Sequence, residues 1–283
     1  MTFRPVNPRN AVLEAVVLLH FDRPVLAPEA AAVRALHPRV KHDLPRLDEP
    51  QVATFVFGPA MPSVPPGTPV SMASFKKDGT LETRVLLHGP LLAVNFLLYT
   101  RWDELWPKAS AWIRMVVEAL GEAGTKNGLP PLRVSVCGHQ MINVFVREGD
   151  GRGVTVKEVF AQKPPRLADA AWDAAGQAWF VLHSANEPLA VEGVHAALHA
   201  ALIDSLSFDL AEEQRVGWRL RLEQTLEARF AEPLAFEALI AKPREDGQAL
   251  IDTLPGQLHD RSRKLMRSLL PAEMLERIGM DAS

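Results

Sequence analysis

Cysteine is nearly absent. Cys137 stands alone among 283 residues, so no intramolecular disulfide can form, and a reducing compartment is the natural expectation. An excess of charge of one sign is also lacking: the net charge is −3 and the pI near 6.3, which removes any global field toward nucleic acid or anionic lipid. No stretch reaches the ~18–20 uninterrupted apolar residues that a bilayer crossing needs. Ala11 to Leu19 follows Arg4 and Arg9 in the manner of a leader. Glu14 interrupts it, however, and His20-Phe21-Asp22-Arg23 offers no small-residue cleavage site. It reads as the first strand of a cytoplasmic protein with no membrane partner. The Gly-x-Ser-x-Gly elbow is missing too, which argues against the common α/β serine hydrolases.

What is present is an ordinary globular composition, 47% apolar and 23% charged. Prolines gather in connections such as Pro59-Ala60-Met61-Pro62-Ser63-Val64-Pro65-Pro66. Strands are expected over Val12 to Phe21, Val52 to Phe57, Val70 to Phe75 and Leu81 to Leu87, with a short helix over Pro28 to His37. Asp78-Gly79 between the last two strands is a hairpin signal, because glycine supplies the positive φ of the turn. The clearest block runs from Leu91 to Val146 as strand, helix, strand. Its helix opens at Thr100 as cap, with Asp103 three residues on. Its apolar stripe of Trp102, Leu105, Trp106, Ala109, Trp112, Ile113, Val116, Val117 and Leu120 is expected to pack the first sheet.

The second half is less regular. Trp179 to His183 suggests a strand, while His195 to Leu210 fits helix or strand. Val216 to Phe230 alternates as a half-exposed antiparallel strand, with Trp218, Leu220 and Leu222 on one face. The chain then turns helical, carried by Leu254, Leu258, Leu265, Leu269 and Leu270. Together these patterns predict an α+β fold of two tandem, mostly antiparallel sheet units, each packed by a long amphipathic helix. Lys163-Pro164-Pro165 divides them into an N-terminal unit, 1–162, and a C-terminal unit, 166–283.

The Leu91–Asn143 block resembles a sporadically distributed family of uncharacterised bacterial proteins. The features that carry the resemblance are the apolar strand Leu92 to Tyr99, the helix-opening Trp102 and the strand-ending pair Ile142-Asn143. The early strand Val16 to Phe21 and the pair Leu258-His259 in the terminal helix add to it. Met141 departs from the pattern, where an aromatic is usual. The resemblance implies a tandem α+β architecture and no established activity. Its sporadic distribution implies an accessory system, of a mobile defence or toxin–antitoxin-like kind.

Several constellations invite chemistry. His195 and His199 have the i, i+4 spacing that places two metal ligands on one helix face, with His183 or Asp204 as a third. Ala196 follows His195, so the general base of the zincins is missing. Cys137 and His139 alternate onto one strand face, as a nucleophile pair would, and Asn143 is the polar residue of the same, mostly apolar strand that matches the resembled family. Gly149 to Gly153 with Lys157 has the composition of a phosphate loop but lacks Walker spacing. Arg261, Arg263, Lys264 and Arg267 form a basic cluster suited to nucleic-acid phosphates. No cofactor motif is present and no catalytic set converges. The expectation is therefore a non-enzymatic interaction protein with a protein partner or a second copy of itself. A nucleic-acid-binding regulator and a metal-dependent hydrolase are the alternatives.

Overall fold

Antiparallel pairing of alternating strands generates one sheet, and amphipathic helices cover one side of it. The computed structural model describes residues 3–6, 11–48, 69–147, 154–164, 167–173, 175–189, 200–213, 217–241, 249–278 and 280. In chain order the elements begin β1 (Arg4–Pro5), β2 (Val12–Phe21), α1 (Ala27–Arg34), α2 (His37–Val40) and β3 (Arg46–Asp48). β4 (Val70–Phe75), β5 (Leu81–His88), β6 (Leu91–Phe96), α3 (Trp102–Lys126) and β7 (Arg133–Arg147) follow. The rest is α4 (Val156–Val159), α5 (Asp169–Trp172), β8 (Ala178–Leu189), β9 (Ala200–Glu213), β10 (Gly217–Ala235), α6 (Phe236–Ile240), α7 (Leu250–Leu269) and α8 (Ala272–Arg277).

The α+β class is as expected. The two units, however, share a single ten-stranded sheet in the order β3-β4-β5-β6-β2-β7-β10-β9-β8, with β1 also on β7. The join is the pairing of β7 with β10, which runs from Trp218 opposite Arg147 to Ala235 opposite Arg133. Strands from both sides of Lys163-Pro164-Pro165 thus lie edge to edge.

Local chemistry explains most elements. The β4–β5 hairpin turns at Gly79, φ +84°, and the Asp78 carboxylate accepts the Thr80 N–H at 2.9 Å. β10 alternates buried and half-exposed side chains from Trp218 to Phe230, so its even-numbered residues face the helices. The odd-numbered residues of the other face pair with each other, as in Arg221–Glu223 and Arg229–Glu227, each at 2.8 Å. The ambiguous stretch after His195 is strand from Ala200 onward, because β9 is paired along both edges by β8 and β10. The expected strand Val52–Phe57, the proline-rich segment 59–66 and the loop Gly149–Gly153 lie outside the described residues. Among those residues, no helix is long and apolar enough to cross a membrane.

Helix α3 is the main cover of the first half, burying Trp112, Ile113, Val116, Val117 and Leu120 against the inward side chains of β2, β6 and β7. Trp112 stacks on Phe96 with ring centroids 6.3 Å apart. Helix α7 shares the same core through Leu250, Ile251, Leu254 and Leu258. A polar clamp ties the two helices: Arg114 donates to Asp252 at 2.5 Å and to the Ile240 carbonyl at 3.1 Å, and Ser110 donates to Asp252 at 3.0 Å.

Trp112 is 5% exposed and bridges sheet to helix. Replacing it with alanine is expected to cost about 3–5 kcal/mol by opening a cavity, read as a lowered urea midpoint at unchanged slope.

Candidate functional site

Strand period places Cys137, His139, Met141, Asn143 and Phe145 on the helix-covered side of β7. Their neighbours across the sheet are Leu19, Val17, Ala15 and Val12 on β2, and Ala228, Leu226, Gln224, Leu222 and Leu220 on β10. Above this row, the start of α3 meets the middle of α7. The chain leaves β6 through Tyr99, Thr100 and Arg101 and enters α3 at Trp102. The N-cap is Arg101 in extended conformation with no side-chain cap, one residue later than the expected Thr100. Asp103 does not complete a capping box; it pairs with Arg101 at 3.1 Å.

A stacked aromatic cluster forms where these segments meet. The Trp102 ring lies 4.4 Å from His259 and 5.1 Å from His139, centroid to centroid, and the two imidazoles are 5.4 Å apart. Trp106 stacks on the other side of Trp102 at 5.3 Å, nearly parallel. Two of the three tryptophans of the α3 stripe are thus only partly buried, Trp102 against the histidine pair and Trp106 against Trp102, while Trp112 alone enters the core fully. The Tyr99 hydroxyl lies 3.3 Å from His259 Nε2. Neither ring nitrogen of His139, nor His259 Nδ1, has a hydrogen-bond partner among the described residues.

Beside this cluster lies a cleft of about 450 Å³. Tyr99, Trp102, Met141, Asn143, His259 and Arg263 line it, with Ala11 and Val12 on one wall and Ile278 and Met280 on another. Arg101, Asp103 and Asp260 add charge to its lining. Asn143 is 1% exposed and His259 3% exposed, so the polar groups of the floor are almost withdrawn from solvent.

Burial keeps the titratable groups neutral. It pushes the Cys137 thiol up to about 12 and, with no counter-charge, leaves it sealed and protonated. It pushes the Tyr99 phenol up to about 12, against a smaller opposing pull from Arg263. Burial holds His139 well below the usual imidazole range, aided by the neighbouring His259, and lowers His259 to about 4. Since Tyr99 keeps its proton, its hydroxyl can donate to His259 Nε2.

No family model, curated protein or solved structure matches this chain.

The sequence-derived candidates fall in different places. His139 and Asn143 face the same side of β7 and belong to the cluster and cleft. Cys137 shares that side but is wholly buried, two positions further along the strand. The basic residues of α7 divide. Arg263 lines the cleft, Lys264 is exposed, Arg267 has a buried Nε and Arg261 is half-buried. At 100° per residue these four spread over about 160° of the helix. His195 and His199 lie outside the described residues. His183 is in β8 with its Cα opposite Ser205, one position out of step with Asp204, whose carboxylate accepts from Gln224 at 3.3 Å. No group of three metal-ligating side chains occurs among the described residues.

Sequence reasoning on chemistry missed Tyr99 and His259 and treated Trp102 as packing alone. The available signals were Tyr99 as the sole tyrosine and the Leu258-His259 pair that contributes to the family resemblance.

Protonation of the histidine pair opposes folding. Their folded-state pKa values lie below the unfolded value near 6.5, so below that pH the unfolded chain takes up protons that the native core resists. Stability is expected to be flat above pH 6.5 and to fall as pH drops from 6.5 toward 4, by on the order of 1–2 kcal/mol per histidine at pH 5. Urea unfolding of wild type and His139→Leu at pH 7.5 and 5.0 checks this. A loss equally steep in the variant would show that His139 is not a source.

Proposed function

We propose that this chain is a non-enzymatic recognition protein, and that the cleft between β7, the start of α3 and the middle of α7 is its binding site. The observation that carries this reading is convergence. Tyr99, Trp102, Asn143 and His259 come from three separate segments, all of which contribute to the resemblance to the sporadically distributed bacterial family, and they line one cleft. The membership itself, and the accessory role it implies, are part of the proposal.

The chemical state of the groups supports binding over catalysis. A nucleophile needs an adjacent base and access to substrate. Cys137 has neither exposure nor an accessible thiolate. A general base works best with a pKa near the operating pH, and His259 at about 4 is far from that. What remains is a concave, mostly apolar surface with a few placed polar groups, the usual form of a ligand or partner site. A protein partner would present its ligating group to this cleft from the open side, where Asp260 is exposed.

Screening a metabolite and peptide library by thermal shift and tryptophan fluorescence tests the reading. Hits are expected to be lost in Asn143→Leu and kept in Cys137→Ala. Catalytic consumption of a hit, seen by mass spectrometry, would overturn the non-enzymatic assignment.

A further inference from the structure

Two cations, Arg101 and Arg263, and two carboxylates, Asp103 and Asp260, stand in the lining of the cleft, and only one of these cations is committed to a partner among the described residues. Arg101 and Asp103 neutralise each other at 3.1 Å. Arg263 has no ion pair or hydrogen bond among the described residues, and the Asn143 amide lines the same cleft although Asn143 is only 1% exposed. The first turn of α3 lacks a side-chain cap, its Glu104 N–H is bound to the Arg101 carbonyl, and its start carries the positive end of the helix dipole. His259, 3% exposed, adds an Nδ1 without a partner. The Arg263 guanidinium, the buried Asn143 amide and the start of α3 therefore border one volume, with the exposed Asp260 carboxylate also in its lining. Trp102, Met141, Ile278 and Met280 add apolar surface to the same lining.

We propose that the cleft binds a small organic monocarboxylate with an apolar body. This rests on the reading of the cleft as the binding site. The Arg263 guanidinium and Asn143 amide donate to the carboxylate, and the body lies against Trp102 and Met141. A volume of about 450 Å³ accommodates one ring with a short chain. The carboxylates of Asp103 and Asp260 in the lining disfavour a second negative charge, which separates this ligand class from phosphates.

Isothermal titration of the full chain with 3-phenylpropionate, 3-phenylpropionamide and inorganic phosphate tests the proposal, with tryptophan fluorescence as a second readout. The carboxylate is expected to bind at least tenfold more tightly than the amide or phosphate. Arg263→Gln is expected to weaken the carboxylate at least tenfold and leave the amide unchanged. Lys264→Gln, on the exposed side of α7, should bind as wild type, and melting curves confirm that both variants fold. Equal affinity for acid and amide, tighter binding of phosphate, or full carboxylate affinity in Arg263→Gln would overturn the carboxylate assignment while leaving the cleft as a binding site. Failure of both organic probes to bind would overturn the assignment and count against the cleft reading as well.

Discussion

Pairing of β7 along both of its edges is the constraint on which the rest of this structure depends. β2 takes one edge from Asn143 back to Val134, and β10 takes the other from Arg147 to Arg133. That double pairing joins the two halves into one sheet and fixes which side chains of β7 face the helices. Because strand period is two, a slip of one residue would turn His139 and Asn143 out and Gln140 and Ile142 in. The outward face holds Gln140 by a 2.7 Å bond to Glu223, which works against such a slip. The inward face has its own polar anchor, the buried chain from Ser262 through Gln224 to Asp204.

The site is a product of where two helices stop matching the sheet. α3 and α7 cover the apolar middle together, clamped by Arg114 and Asp252. At the start of α3 the sheet beneath changes from Val17 and Leu19 to Val12 and Asn143, and the packing opens. Trp102 fills part of the gap with the histidine pair, and the cleft is the remainder. Neutral imidazoles suit this position, since a charged one there would be almost withdrawn from water, and at His259 would face the Arg263 guanidinium as well.

Legibility from sequence tracks how local each feature is. The Asp78-Gly79 turn, the α3 stripe and the alternation of β10 are all readable, because each is decided by residues within a few positions of one another. The continuity of the sheet is not, since the register between β7 and β10 joins residues some eighty positions apart and leaves no local mark. The alanine-rich stretch entering β9 has a half-helical pattern, and pairing on two edges outweighs that weak propensity. Of the site, His139 and Asn143 are visible by strand period. His259 and Arg263 are visible only as residues of a helix, and their meeting with Tyr99 across some 160 positions comes only from the fold.

Tyr99 is the only tyrosine of the chain, and it stands at the cleft with its hydroxyl against His259. The molecule therefore carries a phenol that is unique by composition and confined to one place by folding. Any signal specific to that phenol, whether its ultraviolet ionisation band or its nitration, reports on this corner alone, whereas the indole signal is shared among six tryptophans.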